Sequence, residues 1–228
     1  FAVEAATGFG ATVIAVALGV HLFPLDTLLP VIVPLGLVLS LGIAWREHAH
    51  TDWRLLLRRI LPLMGIGLVL GLVVFEGASN AALQRVFGGF VVAVALLELW
   101  RTRQGAPVPA ALPPAARSAA MLGAGVIHGL FSSGGPLLVY ALGRAPIAKR
   151  AFRATLSTLW VVMATALSSA YALRGHLDLG TLQATGALLP ALGVAYLGGD
   201  WLHGRLDELR FRRLVYAVLL AAGLSSVL

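Results

Sequence analysis

Two short polar breaks interrupt an otherwise apolar chain, and each carries residue types that can hold an anion without a cationic side chain. The first reads Thr7-Gly8-Phe9-Gly10-Ala11-Thr12 and the second Ser132-Ser133-Gly134-Gly135-Pro136. Hydroxyls donate hydrogen bonds, and glycine permits positive φ and close approach of a ligand to the backbone. Pro136 lacks an N–H that would stay unpaired in the first turn of a helix. A helix beginning at each break would present free N–H groups and about half a positive charge, which is an anion site built from backbone. The candidate ligands are therefore Thr7, Gly8, Gly10, Thr12, Ser132, Ser133, Gly134 and Gly135. Thr155, with Ser157, Thr158 and Trp160, opens a later apolar segment and is a candidate for lining the same cavity. The plainer role for such glycines and hydroxyls is close packing and bonding between membrane helices.

Glu4 and His128 lie upstream of the two breaks. An ionisable group inside a membrane is a functional candidate by default, and proton coupling is the function it would serve here. Their plain alternatives are a glutamate facing water and a hydrogen-bonded histidine near the base of a hairpin. No resident cofactor or metal is expected. Cysteine is absent, which excludes thiolate sites and disulfides, and His48, His50 and Asp52 match metal-ligand spacing only loosely. The chain carries no H-E-x-x-H or Walker loop and no G-x-S-x-G element.

Composition dictates which elements must position these residues. Hydrophobic residues make up 59% of the 228 and charged residues 12%, against about half and a quarter in soluble domains. The excess implies a polytopic membrane protein, and at about 20 residues per crossing the ceiling is about six to eight segments. The net charge of +7 comes from arginines in short loops, where it sets topology; nucleic acid is not an expected partner. Apolar segments at 26–45, 60–75 and 83–100 read as spans, as do 154–173, 181–199 and 210–227. Hairpins that enter and return are expected at 1–18 and 119–143. A basic, wet loop is expected from Arg46 to Arg59, and Glu98 and Asp200 are expected to pair with nearby arginines.

The second half repeats the first. Gly10 matches Gly135, and His50-Thr51-Asp52-Trp53 matches His176-Leu177-Asp178-Leu179. Gly67-Leu68-Val69 matches Gly193-Val194-Ala195, and Leu83-Gln84-Arg85-Val86 matches Phe211-Arg212-Arg213-Leu214. The repeats are expected at 1–104 and 118–228, joined by a proline-rich linker at 105–117 that favours extended chain. One re-entrant hairpin plus three spans gives each half an odd number of crossings, so the second copy is inverted. The loops 46–59, 101–117, 144–153 and 200–213 then share one side and hold all of the 17 Lys and Arg except Arg85 and Arg174. The positive-inside rule makes that side cytoplasmic. From Gly135 to Gly143 a helix would extend about 13.5 Å, under half of the roughly 30 Å hydrocarbon core, so the second arm reaches only mid-depth.

With its two glycine-containing breaks, TGFGA at 7–11 and SSGGP at 132–136, and its repeat layout, the chain resembles the TauE/SafE sulfite exporters, also called toluene sulfonate uptake permeases. Phe9 and Ala11 interrupt the family's usual glycine run in the first repeat. The resemblance implies an all-α secondary transporter of the inner membrane. It would move sulfite, sulfoacetate or a related organosulfonate. An intramembrane enzyme acting on a lipid or apolar substrate is the rival class, but its acids and nucleophiles would be scattered; an anion channel is a third. The expected partners are a small anion and the lipid bilayer, and no oligomeric state is read from the sequence.

Overall fold

The computed structural model describes residues 1, 4, 10–104, 112–142, 148–203, 220 and 224, without the side chains of Glu98, 101–104, Lys149 and 199–203. Thr7, Gly8, the expected ion pairs of Glu98 and Asp200, and nearly all of the expected span 210–227 lie outside the described residues. Among the described residues every regular element is a helix. Helix α1 covers Ala11–Gly19, α2 Leu25–Glu47, and a 3-10 turn His48–His50 follows. Helix α3 runs Trp53–Gly77 through a π-helical stretch at Leu56–Ile60. Then come α4 (Asn80–Gln104), α5 (Pro114–Phe131), α6 (Gly135–Leu142), α7 (Lys149–Leu173) and α8 (Leu179–His203). Four stretches, Leu25–His50, Trp53–Gly77, Asn80–Leu97 and Arg150–Leu173, are long and apolar enough to cross a membrane.

The stretch from Arg46 to Arg59 is more helical than a wet loop. Asp52 Oδ1 accepts the Leu55 N–H at 2.9 Å, so a side-chain cap starts α3 at Trp53, ahead of its apolar run. Only His48–Asp52 separate it from α2. Asp178 repeats the device, accepting the Thr181 N–H at 2.7 Å at the start of α8.

The chain reverses between α5 and α6. Ser132 adopts φ 52, left-handed backbone that is rare for a residue with a Cβ, and its N–H closes α5 on the His128 carbonyl at 2.7 Å. Such backbone costs on the order of 1–3 kcal/mol and collects at functional sites. Helix α6 then runs back along α5: Gly134 lies against Ala124 and His128, and Leu137 against Gly123.

Helices α3 and α5 pack backbone to backbone. A Cβ on Gly67 would stand 2.9 Å from Gly125 Cα, and one on Gly71 3.0 Å from Gly129 Cα. Each helix thus presents two glycines four residues apart, the small-residue pattern that lets membrane helices approach closely. Met64 lies opposite Gly125 and Gly71 opposite Gly129, so the two helices run in the same direction. Helices α2 and α7 run oppositely. The end of α2 meets the start of α7 through Glu47 and Arg153 (3.7 Å). At the other end Arg174 pairs with Glu76 at 2.5 Å, and Asn80 donates to Asp26 at 2.9 Å. Large apolar side chains remain exposed along α3 (Val69, Leu70, Val73) and α8 (Leu182, Val194, Leu197). Such faces suit lipid and would be a liability in water.

Candidate functional site

A cavity of about 420 Å³, counting its open mouth, lies where α1, α2, α5, α6 and α7 converge. Its place along the bundle follows from the helices that wall it. Helix α2 contributes Val33, Gly36 and Ser40, and Gly36 is the central residue of Leu25–Glu47. Helix α7 contributes Trp160 and Ala164, which flank the middle of Lys149–Leu173. The cavity therefore sits halfway along two helices long enough to cross a bilayer.

Two helix N-termini open into it. Gly10, Thr12 and Val13 bring the start of α1, and Ser132, Ser133 and Gly135 bring the start of α6. Gly10 caps α1 at φ 98, a conformation glycine adopts freely. The earliest intrahelical bonds there run from Ile14 to the Gly10 carbonyl (3.3 Å) and from Leu138 to the Gly134 carbonyl (3.1 Å). N–H groups before these points have no partner within their own helix, as at any helix start. The dipoles of both helices place positive potential in one space.

Two ionisable residues complete the wall. Glu4, 5% exposed, accepts a hydrogen bond from Ser40 Oγ at 3.2 Å through its Oε1. His128, 4% exposed, stacks on Trp160 with ring centroids 5.2 Å apart, and neither ring nitrogen has a hydrogen-bond partner. A buried polar ring without a protein partner is uncommon.

The sequence candidates thus divide. Glu4, Gly10, Thr12, His128, Ser132, Ser133 and Gly135 face one cavity. Gly134 stands behind it, where a Cβ would press on the Ala124 carbonyl and stand 3.0 Å from the His128 Cβ, so its role is close packing within the hairpin. Thr155 lies elsewhere: its Oγ1 accepts the Asp52 N–H at 2.9 Å. Thr158 Oγ1 bonds Thr51 Oγ1 at 3.1 Å and donates to the Ala154 carbonyl at 2.9 Å. These two threonines fasten the turn between α2 and α3 to α7. Val33, Gly36, Ser40 and Ala164 carry no local signal of their own and were not anticipated. Among the described residues no cluster of histidine and carboxylate could hold a metal ion.

This geometry can be set beside known proteins. No solved structure matches the chain. It is 25% identical over 228 residues to the "Probable sulfite/organosulfonate exporter TauE" of Cupriavidus necator, covering 97% of this chain and 86% of that protein. The family profile described as "Sulfite exporter TauE/SafE" matches residues 2–226. A match across nearly the whole length places the chain in the sulfite exporter TauE/SafE family, whose members are transmembrane transporters and not enzymes.

Proposed function

We propose that this chain is a secondary transporter that moves a small sulfur oxyanion, sulfite or an organosulfonate such as sulfoacetate, through the inner membrane by alternating access. The carrying observation is the cavity at half-depth into which two helix N-termini open. Backbone N–H groups at helix starts bind anions, and hydroxyls from Thr12, Ser132 and Ser133 add donors. A sulfonate or sulfite head presents several acceptor oxygens on one centre, which suits donors arriving from different helices. The name of the Cupriavidus necator relative points to the same substrates.

In this reading each half is a re-entrant hairpin followed by spans, and the two halves are inverted. Three features support it. Helices α2 and α7, equivalent in the repeat, run antiparallel. Asp52 and Asp178, also equivalent, cap α3 and α8 through the same three-residue step. The α5–α6 turn stands beside the middle of α7, through the His128–Trp160 stack. Unwound backbone at such a depth is tolerated only when it is buried in protein or lines a cavity. The basic loops 46–59, 101–117, 144–153 and 200–213 then face the cytoplasm, following the positive-inside rule.

Reconstituted protein tests this directly. Proteoliposomes preloaded with sulfite should accumulate labelled sulfite by exchange, with saturation. Gly36→Leu, which places a branched side chain where nothing lies within 4 Å of a Cβ, should abolish exchange while leaving a monodisperse, cooperatively unfolding protein. Flux that never saturates and shows no exchange would make it a channel. Absence of flux for every sulfur oxyanion would sink the proposal.

A further inference from the structure

The two helix N-termini at the cavity are not equivalent. At α1 an acidic side chain is already in place: the buried Glu4 carboxyl accepts the hydroxyl of Ser40 and lies beside the N–H of Ala11, the first helical residue. At α6 no carboxylate lines the cavity among the described residues. With Gly10 matched to Gly135, Glu4 falls at Gly129, next to His128. An acid thus stands ahead of one helix start and a base ahead of the other. The base is buried, lines the cavity and has both ring nitrogens unpartnered.

We propose that Glu4 is a built-in competitor for the transported anion, and that the anion enters only when Glu4 takes up a proton, so that the two travel together. The inference rests on the anion-site reading above. No Lys or Arg lines the cavity among the described residues, so a carboxylate and a substrate anion would repel one another in a confined space where salt screens little. A proton taken from the aqueous side to which the cavity is open resolves the conflict. It sits on a carboxyl oxygen of Glu4, which releases the Ala11 N–H and itself becomes an O–H donor. When the anion leaves on the other side the proton follows, and the carboxylate resumes its place on α1.

The other groups around Glu4 are few. Among the described residues, helices α1 and α7 bring no titratable side chain to the cavity, α2 brings the Ser40 hydroxyl, and α5 brings His128. Tyr196 of α8, which packs on the same small cluster as Phe1, is held by Arg46 at 2.9 Å.

The test uses methanesulfonate, whose single charge is constant between about pH 5 and pH 9, so that only protein groups titrate. Binding to the purified full chain is measured by calorimetry across that range, with proton uptake read in weak buffer. The wild type should bind more weakly as pH rises, approaching a tenfold loss per pH unit, with about one proton taken up per anion. Glu4→Gln should bind at high pH as well as at low and take up no proton, while His128→Asn should keep the pH slope. A wild type that binds with no pH slope and no proton uptake overturns the inference, whatever the variants do. A slope kept by Glu4→Gln, or removed by His128→Asn alone, also overturns it. Absence of methanesulfonate and sulfite binding at every pH would instead fell the anion site itself, and this inference with it.

Discussion

Adding one methyl group at either of two glycines of the site should move stability in opposite directions. At Gly134 a Cβ would press on the Ala124 carbonyl oxygen and lie 3.0 Å from His128 Cβ and 3.1 Å from the Ala124 carbonyl carbon. Two of those three atoms are backbone of the facing helix arm and cannot rotate away. Overpacking of this kind costs about 1–3 kcal/mol. At Gly36 nothing lies within 4 Å of the Cβ position, and alanine is about 1 kcal/mol better than glycine inside a helix. With about 2–4 °C per kcal/mol at this chain length, Gly134→Ala should lower Tm by about 2–12 °C and Gly36→Ala should raise it by about 2–4 °C. Tryptophan fluorescence of the detergent-purified protein during heating reads both, and Trp160 reports on the cavity directly. A Gly134→Ala protein with wild-type Tm but no anion exchange would refute the reasoning, because Gly134 would then be a ligand contact and not a packing position.

Three further outcomes follow from other contacts. Gly129→Val should separate α5 from α3, since even a Cβ there would stand 3.0 Å from Gly71 Cα; a loss of more than about 3 kcal/mol, or failure to recover folded protein on size-exclusion chromatography, is expected. Thr155→Val removes the acceptor of the Asp52 N–H and should lower stability by about 1 kcal/mol while anion affinity, measured by calorimetry, stays unchanged. Asp178 is held below the usual aspartate range because the Thr181 N–H bonds its charged form. Its stabilisation is complete above the unfolded value and fades as pH falls through the depressed one. Asp178→Ala should therefore unfold earlier than the wild type at neutral pH, and the gap should narrow as pH falls below the usual aspartate range, by thermal melts across that range.

The turn at Ser132–Gly134 was legible because its residues cannot continue a helix comfortably, and apolar sequence on both sides leaves them nowhere to go but inward. The two aspartate caps were likewise within reach, since Asp52 and Asp178 each stand just ahead of an apolar run. The α3–α5 seam was also within reach: Gly67 and Gly71, and Gly125 and Gly129, show the four-residue glycine step in apolar segments. The far wall was not. Through the middle of α2 and α7 the residues are apolar or small on all sides, so the 3.6-residue alternation that marks a buried face in a soluble helix does not single out Gly36, Ser40 or Ala164. Their placement depends on how two antiparallel helices cross, which no short window of sequence encodes. The wet loop 46–59 shrank for a local reason, since one carboxylate at Asp52 suffices to begin α3 ahead of its apolar stretch.

The glycine seam constrains how such a transporter could move. Two backbones in direct contact, with no side chains between them to change rotamer, cannot slide without colliding, so α3 and the α5–α6 arm must swing as one slab. Rearrangement is then confined to the opposite wall, where His128 rests flat on Trp160 and the aromatic faces can slip at small expense. Cross-linking across that stack should halt transport, whereas cross-linking α3 to α5 should leave it running.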